Sequence, residues 1–202
     1  MKKNHSVIFK LFNFYIAAVL MLLAFTACSE RDDTPEEFPD WKNKNEIFFE
    51  AAYLAKDYDF TVKRYSLSEK VATTNTDYVL VEVFGSDEEA DMETPFLNDT
   101  VLIHYVGYLL PSTTYKTGYE FDKSYIDPFD YETAVPSKLA VNDLVVGVSS
   151  VLQEMHRGDY WRVTIPYQMG YGTAGNGNVP GYSTLIFEIR LEDFWTKKKG
   201  DR

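Results

Sequence analysis

Over 184–194 the residues alternate, with Leu185, Phe187, Ile189 and Leu191 on one side and Glu188, Arg190 and Glu192 on the other. Successive side chains of a strand point to opposite faces, so this is an antiparallel strand with one dry and one wet face. A dry face must be covered, and that requirement governs the rest of the chain. Val101, Ile103 and Tyr105 repeat the alternation over 101–105, as do Trp161, Val163 and Ile165 over 160–165. The stretches 60–65 and 77–84 read as two further short strands. One segment among them has helical spacing: Val148, Val151, Leu152 and Met155 fall at i, i+3, i+4 and i+7. His156-Arg157-Gly158 then offers cations for the helix end and a glycine stop. A sheet with one short helix laid across it is an α+β domain of about 100 residues.

The first residues are of another kind. Residues 1–27 hold Lys2, Lys3 and Lys10, no acidic residue, and an uncharged apolar run over 14–27. A basic start, a short apolar stretch and small residues before a cut describe a secretory signal peptide. At about 14 residues the run is short of the roughly 20 needed to span a bilayer. Leu23-Ala24-Phe25-Thr26-Ala27-Cys28 resembles a bacterial lipobox, with Phe25 where Leu is commoner. That resemblance implies that Cys28 is lipidated and becomes the mature N-terminus, its acyl chains holding the protein on a membrane at about 0.8 kcal/mol per buried CH₂. The implied location is extracytoplasmic, on a bacterial membrane, with the outer membrane and its surface as the expected destination. Ser29-Glu30-Arg31-Asp32-Asp33 resembles the acidic export tags of surface lipoproteins in some Gram-negative bacteria, and equally suits a solvated tether.

Cys28 is the single cysteine, which excludes internal disulfides and any cysteine-based zinc cage. Lys and Arg number 20 against 31 Asp and Glu, and loss of the three leader lysines takes the net charge from -11 to -14. That balance argues against nucleic acid as a partner, because a hold on phosphate backbones needs clustered cations. The expected layout is a signal over 1–27, an acidic tether over 28–40, a helix-and-strand extension over 41–76, the main domain over 77–195 and a basic tail over 196–202. In the extension Asp40 is the expected N-cap and Trp41 the anchor of a helix over 41–56. Its apolar stripe is Ile47, Phe48, Ala51, Ala52, Leu54 and Ala55, expected to pack on the following domain. The charged stretch 85–91 lacks the ligand spacing of a calcium loop and reads as a solvated turn.

Chemistry-bearing motifs are sparse. Beyond the leader the histidines are His104 and His156, too few for a His-rich metal site, and His104 is expected at the surface or a sheet edge because it alternates away from Tyr105. Gly170-Tyr171-Gly172-Thr173-Ala174-Gly175-Asn176-Gly177 is no phosphate loop, since a strand rather than a helix N-terminus follows. What stands out is aromatic: Tyr105, Phe121, Phe129, Tyr171 and Phe187, with Asp122 beside them.

Those residues carry a second resemblance. Val101-Leu102-Ile103-His104-Tyr105-Val106-Gly107 and Gly118-Tyr119-Glu120-Phe121-Asp122-Lys123-Ser124 look like the opening strands of an FKBP-type peptidyl-prolyl isomerase. Val145-Val146-Gly147 and Met155-His156-Arg157-Gly158 are similar to the flanks of that family's helix. Ile165-Pro166, Gly170-Tyr171-Gly172, Val179-Pro180 and Ser183-Thr184-Leu185-Ile186-Phe187-Glu188 match its loop and last strand, in register over 77–195. The extension resembles those on lipoprotein members of the family.

The resemblance implies an α+β fold, a half-open antiparallel five-stranded sheet wrapped around one short helix, with an apolar pocket between them. It implies Tyr105, Asp122 and Tyr171 as catalytic residues and Phe121, Phe129, Leu144, Val145, Val148, Val179 and Phe187 as substrate-binding ones. Proline-containing polypeptides would be the substrates, with no metal and no cofactor. Rotation about an X-Pro amide crosses a barrier near 18–20 kcal/mol, and an apolar slot favours the twisted amide, which is less charge-separated than the planar one. The chain departs from the family at Val148, where Trp is usual, at Ser149 and Ser150 in the helix, at Asn176 in place of a common His, and at Gly181, where a second Pro is frequent. Two functions follow as expectations: an isomerase acting on extracytoplasmic proteins, or a weakly active or inactive binding and assembly module on a lipoprotein.

Overall fold

The computed structural model describes residues 36–68, 71, 73–86 and 92–196. The expected leader, Cys28, the tether up to residue 35, most of the charged turn and the tail from 197 on lie outside the described residues. Seven strands follow in chain order: β1 (Phe60–Lys63), β2 (Tyr78–Gly85), β3 (Asp99–Tyr108), β4 (Glu120–Lys123), β5 (Ser137–Ala140), β6 (Tyr160–Ile165) and β7 (Leu185–Thr196). Among the described residues two α-helices accompany them, α1 (Trp41–Ala55) before β1 and α2 (Val146–Leu152) between β5 and β6.

All strand pairs are antiparallel, in the order β1-β2-β6-β7-β3-β4 with β5 also on β3. β3 is paired along its whole length with β7. Its other edge is shared: β5 takes Thr100 to Ile103 and β4 takes Val106 to Tyr108. The expected five-strand sheet therefore occupies five positions, the outermost split between β4 and β5, and β1 adds a sixth. β5 escapes sequence reading because four residues, Ser137-Lys138-Leu139-Ala140, are too few to show a period.

The dry face is built from the alternating set. Val101, Val163, Ile165, Leu185, Ile189 and Leu191 are all fully buried. The alternation on β7 does break once. Ile103 pairs with Leu191 but Leu102 with Asp193, so Glu192 is an extra residue and the pairing shifts. A bulge of this kind re-aims the side chains beyond it, and Phe194 turns inward to 7% exposure, opposite fully buried Val101.

α2 lies across this face and is buried all round, not along one stripe. Ser149 and Ser150 are as buried as Val151, and their hydroxyls turn back on the chain, Ser149 Oγ donating to the Val141 carbonyl at 2.7 Å and Ser150 Oγ to that of Val146 at 2.7 Å. That satisfies groups whose desolvation would otherwise cost about 1–3 kcal/mol each. The helix stops at Leu152, before the expected cations. Arg157 lies past its end and donates instead to Asp193 Oδ1 at 2.8 Å and to the Phe194 carbonyl at 3.0 Å.

α1 corrects the expected stripe. Its inward residues are Trp41, Asn45 and Phe49, at i, i+4 and i+8, while Ile47 and Leu54 stand 60% and 66% exposed. A polar residue sets the docking face: Asn45 Oδ1 accepts from the Thr184 N–H and its Nδ2 donates to the Trp41 carbonyl, both at 2.7 Å. Apolar counting skips an asparagine, so it centres the stripe to one side of the docking face. Nor does Asp40 cap the helix with its side chain; it has left-handed backbone (φ 51°) and accepts from the Asn43 side chain at 2.8 Å. The chain is also fastened earlier than the expected tether end. Thr113 Oγ1 donates to the Glu36 carbonyl at 2.8 Å, and the Glu37 carboxylate accepts from the Ser112 and Thr114 hydroxyls.

Candidate functional site

Strand parity assembles the site. β3 sends Ile103 and Tyr105 to the inner face, and β7 sends Phe187 and Ile189 beside them, Ile189 pairing with Tyr105 and Phe187 with Gly107. Leu144, Val145 and Val148, from the turn before α2 and its first turn, close the floor. Asp122 from β4, Leu139 from β5, Asp143, and Tyr171 and Asn176 from the loop before β7 complete a cavity of about 290 Å³ that opens to solvent.

Tyr105 is the central polar group. Its hydroxyl donates to Asp122 Oδ2 at 2.8 Å, and its backbone N–H donates to Ser124 Oγ at 2.8 Å, tying β3 to the end of β4. Burial first, and then the Asp122 carboxylate that accepts its proton, push the Tyr105 phenol well above its ordinary pKa. The hydroxyl therefore stays protonated and holds the carboxylate in place across the physiological range. Around this pair the walls are aliphatic and aromatic. The Tyr105 and Phe187 rings lie 6.3 Å apart, and Phe121 meets Phe187 edge-on at 5.4 Å and 84°.

Of the ten residues expected at the site, seven line this cavity: Tyr105, Asp122, Leu144, Val145, Val148, Tyr171 and Phe187. Phe121 stands behind Phe187 as its buttress. Val179 is buried in the loop, exchanging two backbone hydrogen bonds of 2.9 Å with Asn176. Phe129 is elsewhere. Its ring packs on His104 at 5.0 Å, Tyr125 at 4.9 Å and Tyr131 at 4.8 Å, over the outer face of the sheet. Strand parity says nothing about the direction a loop residue takes, and Phe129 lies beyond β4.

The same loop overturns the expected setting of His104. His104 does alternate away from Tyr105, but the outer face there is roofed by Phe129 and Tyr131, leaving it 3% exposed with Nδ1 unpartnered. Burial depresses its pKa, with the Glu192 carboxylate partly opposing and Arg190 reinforcing. Arg190 stacks on the Tyr160 ring at 3.4 Å and donates to the Tyr131 hydroxyl at 3.2 Å.

Sequence reasoning missed Ile103, Leu139, Asp143, Asn176 and Ile189 as lining residues. Ile103 and Ile189 carried a usable signal, each being two residues from an expected one on the same strand face. Asp143 adjoins Leu144 in the turn Val141–Asp143. Leu139 becomes visible only once β5 is paired, opposite Val101.

The family model described as FKBP-type peptidyl-prolyl cis-trans isomerase matches residues 92–192, half of the chain. The chain belongs to that family. The FKBP match takes in β3 to β6 and most of β7, while α1, β1 and β2 precede it. Relatives within the family include the macrophage infectivity potentiator of Trypanosoma cruzi, 34% identical over 98 residues, which are 48% of this chain and 44% of that protein. The FKBP-type 22 kDa peptidyl-prolyl cis-trans isomerase of Escherichia coli strain K12 is 34% identical over 98 residues, 48% of this chain and 42% of its own length. The aligned part thus spans less than half of these curated relatives. A crystal structure of a peptidyl-prolyl cis-trans isomerase from Pseudomonas syringae pv. tomato shares the fold, with a TM-score of 0.55 at 23% identity over 80% of this chain and 98% of that one.

Proposed function

We propose that the chain is a peptidyl-prolyl cis-trans isomerase acting on X-Pro bonds of polypeptides through the cavity around Tyr105. The observation that carries this reading is the convergence of Tyr105, Asp122, Tyr171 and Phe187 on one apolar concavity whose lining includes no described residue of α1 or β1. α1 and β1 therefore leave the slot open to a substrate.

In the proposed mechanism a proline ring enters against Phe187, Val145 and Val148. Leaving water lowers the stability of the planar, charge-separated amide relative to the twisted one, so the apolar walls favour rotation. Tyr171 holds the substrate carbonyl through its hydroxyl, and Asp122, fixed by the Tyr105 hydroxyl, orients the rotating carbonyl carbon. Chemistry of this kind forms no covalent intermediate and transfers no proton. The substrates are extracytoplasmic proteins, and the protein reaches them anchored through lipidated Cys28 to a bacterial membrane, the outer one in this proposal.

The test is cis/trans exchange of short X-Pro peptides, followed by NMR with the full chain in detergent. Acceleration over buffer is expected, reduced by Phe121→Ala and by Tyr171→Phe. Rates equal to buffer, unmoved by either substitution, sink the reading. Mass spectrometry of the membrane-bound protein, wild type against Cys28→Ser, tests the anchor: a diacylglyceryl-modified N-terminal cysteine supports it, and an unmodified one rejects it.

A further inference from the structure

The FKBP match begins after α1, yet the most heavily bonded face of α1 meets the loop that forms one wall of the cavity. Trp41 Nε1 donates to Ser183 Oγ at 2.8 Å, and that hydroxyl in turn donates to the Pro180 carbonyl at 2.6 Å. One helical turn on, the Asn45 carboxamide oxygen accepts from the Thr184 N–H, a buried bond between residues far apart in the chain. Lys42 lies over the Tyr182 ring at 5.1 Å, and the Tyr167 hydroxyl donates to Glu46 Oε1 at 3.2 Å. Four residues of one helix face thus hold the two ends of a single loop.

That loop moves as a unit or not at all. A Cβ on Gly175 would lie 2.2 Å from the Val179 carbonyl oxygen, and one on Gly181 would lie 2.1 Å from that of Thr173. The two limbs are therefore packed backbone on backbone, with Gly175 at φ +74° where only glycine is unstrained. Cross-bonds stitch them together: Asn176 and Val179 exchange both backbone bonds, the Tyr182 N–H donates to the Gly172 carbonyl at 2.9 Å, and the Gly175 N–H donates to that of Tyr171 at 3.2 Å. A displacement at Ser183 or Pro180 is thus passed to Tyr171 and Asn176, which line the cavity.

We propose that Trp41 and Asn45 are positioning residues of the proline pocket: through Ser183 and Thr184 they clamp the loop that carries Tyr171 and Asn176, so that α1 sets the geometry of a site it does not touch. The inference rests on the isomerase reading for its consequence in turnover, but the clamp itself has a readout independent of activity. α1 is then a working part of the site and not an appended handle. Loosening the clamp leaves the walls on β3 and β7 in place and lets the Tyr171 wall wander, so substrate binding weakens more than the bound complex slows.

The experiment uses the full chain in detergent, with Trp41→Phe, which keeps a ring against Phe38 and deletes the indole donor, and Ser183→Ala, which deletes its acceptor. Amide hydrogen exchange is followed at Asn176 and Val179, with Ile189 and Val163 as references in the sheet. Either substitution is expected to speed exchange at Asn176 and Val179 by about three- to tenfold, the range one hydrogen bond commands, with the sheet amides unmoved. Turnover of X-Pro peptides is expected to show KM raised and kcat nearly kept. The double variant should add little to Ser183→Ala, because that substitution already removes the Trp41 bond along with the Ser183–Pro180 one, and Ser183→Thr, which keeps the hydroxyl, should retain wild-type exchange. Exchange at Asn176 and Val179 as slow as wild type in both single variants overturns the proposal, as does acceleration spread equally over the sheet. If wild type itself shows no turnover, the isomerase reading fails while the exchange data still decide the clamp. If Trp41→Phe does not fold, Asn45→Ala, which removes the bond to the Thr184 N–H and leaves the loop's own bonds intact, decides in its place.

Discussion

Adding one methyl group at Gly107 should damage the pocket wall from behind. Gly107 sits on β3 opposite Phe187 of β7, and also pairs with Asp122 of β4. A Cβ there would lie 2.6 Å from Phe121 Cζ and 2.7 Å from Phe187 Cε1, so each ring must retreat by about 0.7–0.8 Å to reach ordinary contact at 3.4 Å. Retreat is resisted, since the two rings brace each other edge-on at 5.4 Å and Phe187 is 7% exposed. Overpacking of this kind costs about 1–3 kcal/mol. Replacing a strand glycine by alanine returns about 0.5–1 kcal/mol of backbone entropy, so at the middle of both ranges the clash wins and Gly107→Ala should destabilise by roughly 1 kcal/mol. At about 2–4 °C per kcal/mol for a chain of this size, Tm should fall by roughly 2–4 °C in a thermal melt. Phe187 has room to yield only toward the cavity, so KM for X-Pro peptides should rise in the same variant. Phe121→Leu shortens one of the two obstacles, and its own cost should be smaller in the Gly107→Ala background than in wild type, a coupling that a double-mutant cycle reads directly. A Tm equal to or above wild type, together with the same cost for Phe121→Leu in both backgrounds, would refute the steric argument.

Other expectations follow from single groups. Tyr105→Phe removes the hydroxyl that donates to Asp122, and one bond to a carboxylate at a partly solvated site is worth about 1.5 kcal/mol, so kcat/KM should fall about tenfold; a drop of less than twofold would leave Asp122 orientation without a role. His104 has a folded pKa below its unfolded one, so the unfolded chain binds the proton more readily and stability should decline as pH falls from above about 6.5 toward the folded value. Urea midpoints between pH 7.5 and 5.5 should show that slope in wild type and a shallower one in His104→Leu; equal slopes would count against a buried neutral ring. The Ser112 and Thr114 hydroxyls hold Glu37 below its ordinary pKa of 4.5, so its bonds persist above that value and loosen as pH falls through the lower folded one. The Thr114 amide signal should therefore titrate with a midpoint below 4.5, and a midpoint at or above it would contradict the contact.

The candidate site was partly legible because its lining comes from strand residues and short motifs. The resemblance to the FKBP family implied one pocket for Tyr105, Asp122, Tyr171 and Phe187, and all four line the cavity. Phe129 could not, because it lies in a loop whose path over the outer face depends on contacts with His104, Tyr125 and Tyr131. For His104 itself the pattern indicates the correct face and the wrong environment, since alternation reports which side a residue occupies but not what covers that side. For α1 the apolar stripe was centred to one side of the docking face, with Ile47 and Leu54 exposed, and Asn45 and Trp41 define that face through hydrogen bonds.

The amino-acid order by itself determined the elements whose information is local: the inward residues of β3, β6 and β7, the short apolar helix, and the family motifs along them. Period two and period 3.6 are properties of the chain, and burial only ratifies them. Tertiary structure alone decided the bulge at Glu192 that turns Phe194 inward, the split outer edge of β3, the roof over His104 and the side of α1 that meets the loop before β7. Each of these depends on a partner distant in the chain, and a hydrogen bond or a ring contact made across that distance leaves no period in the sequence to be read.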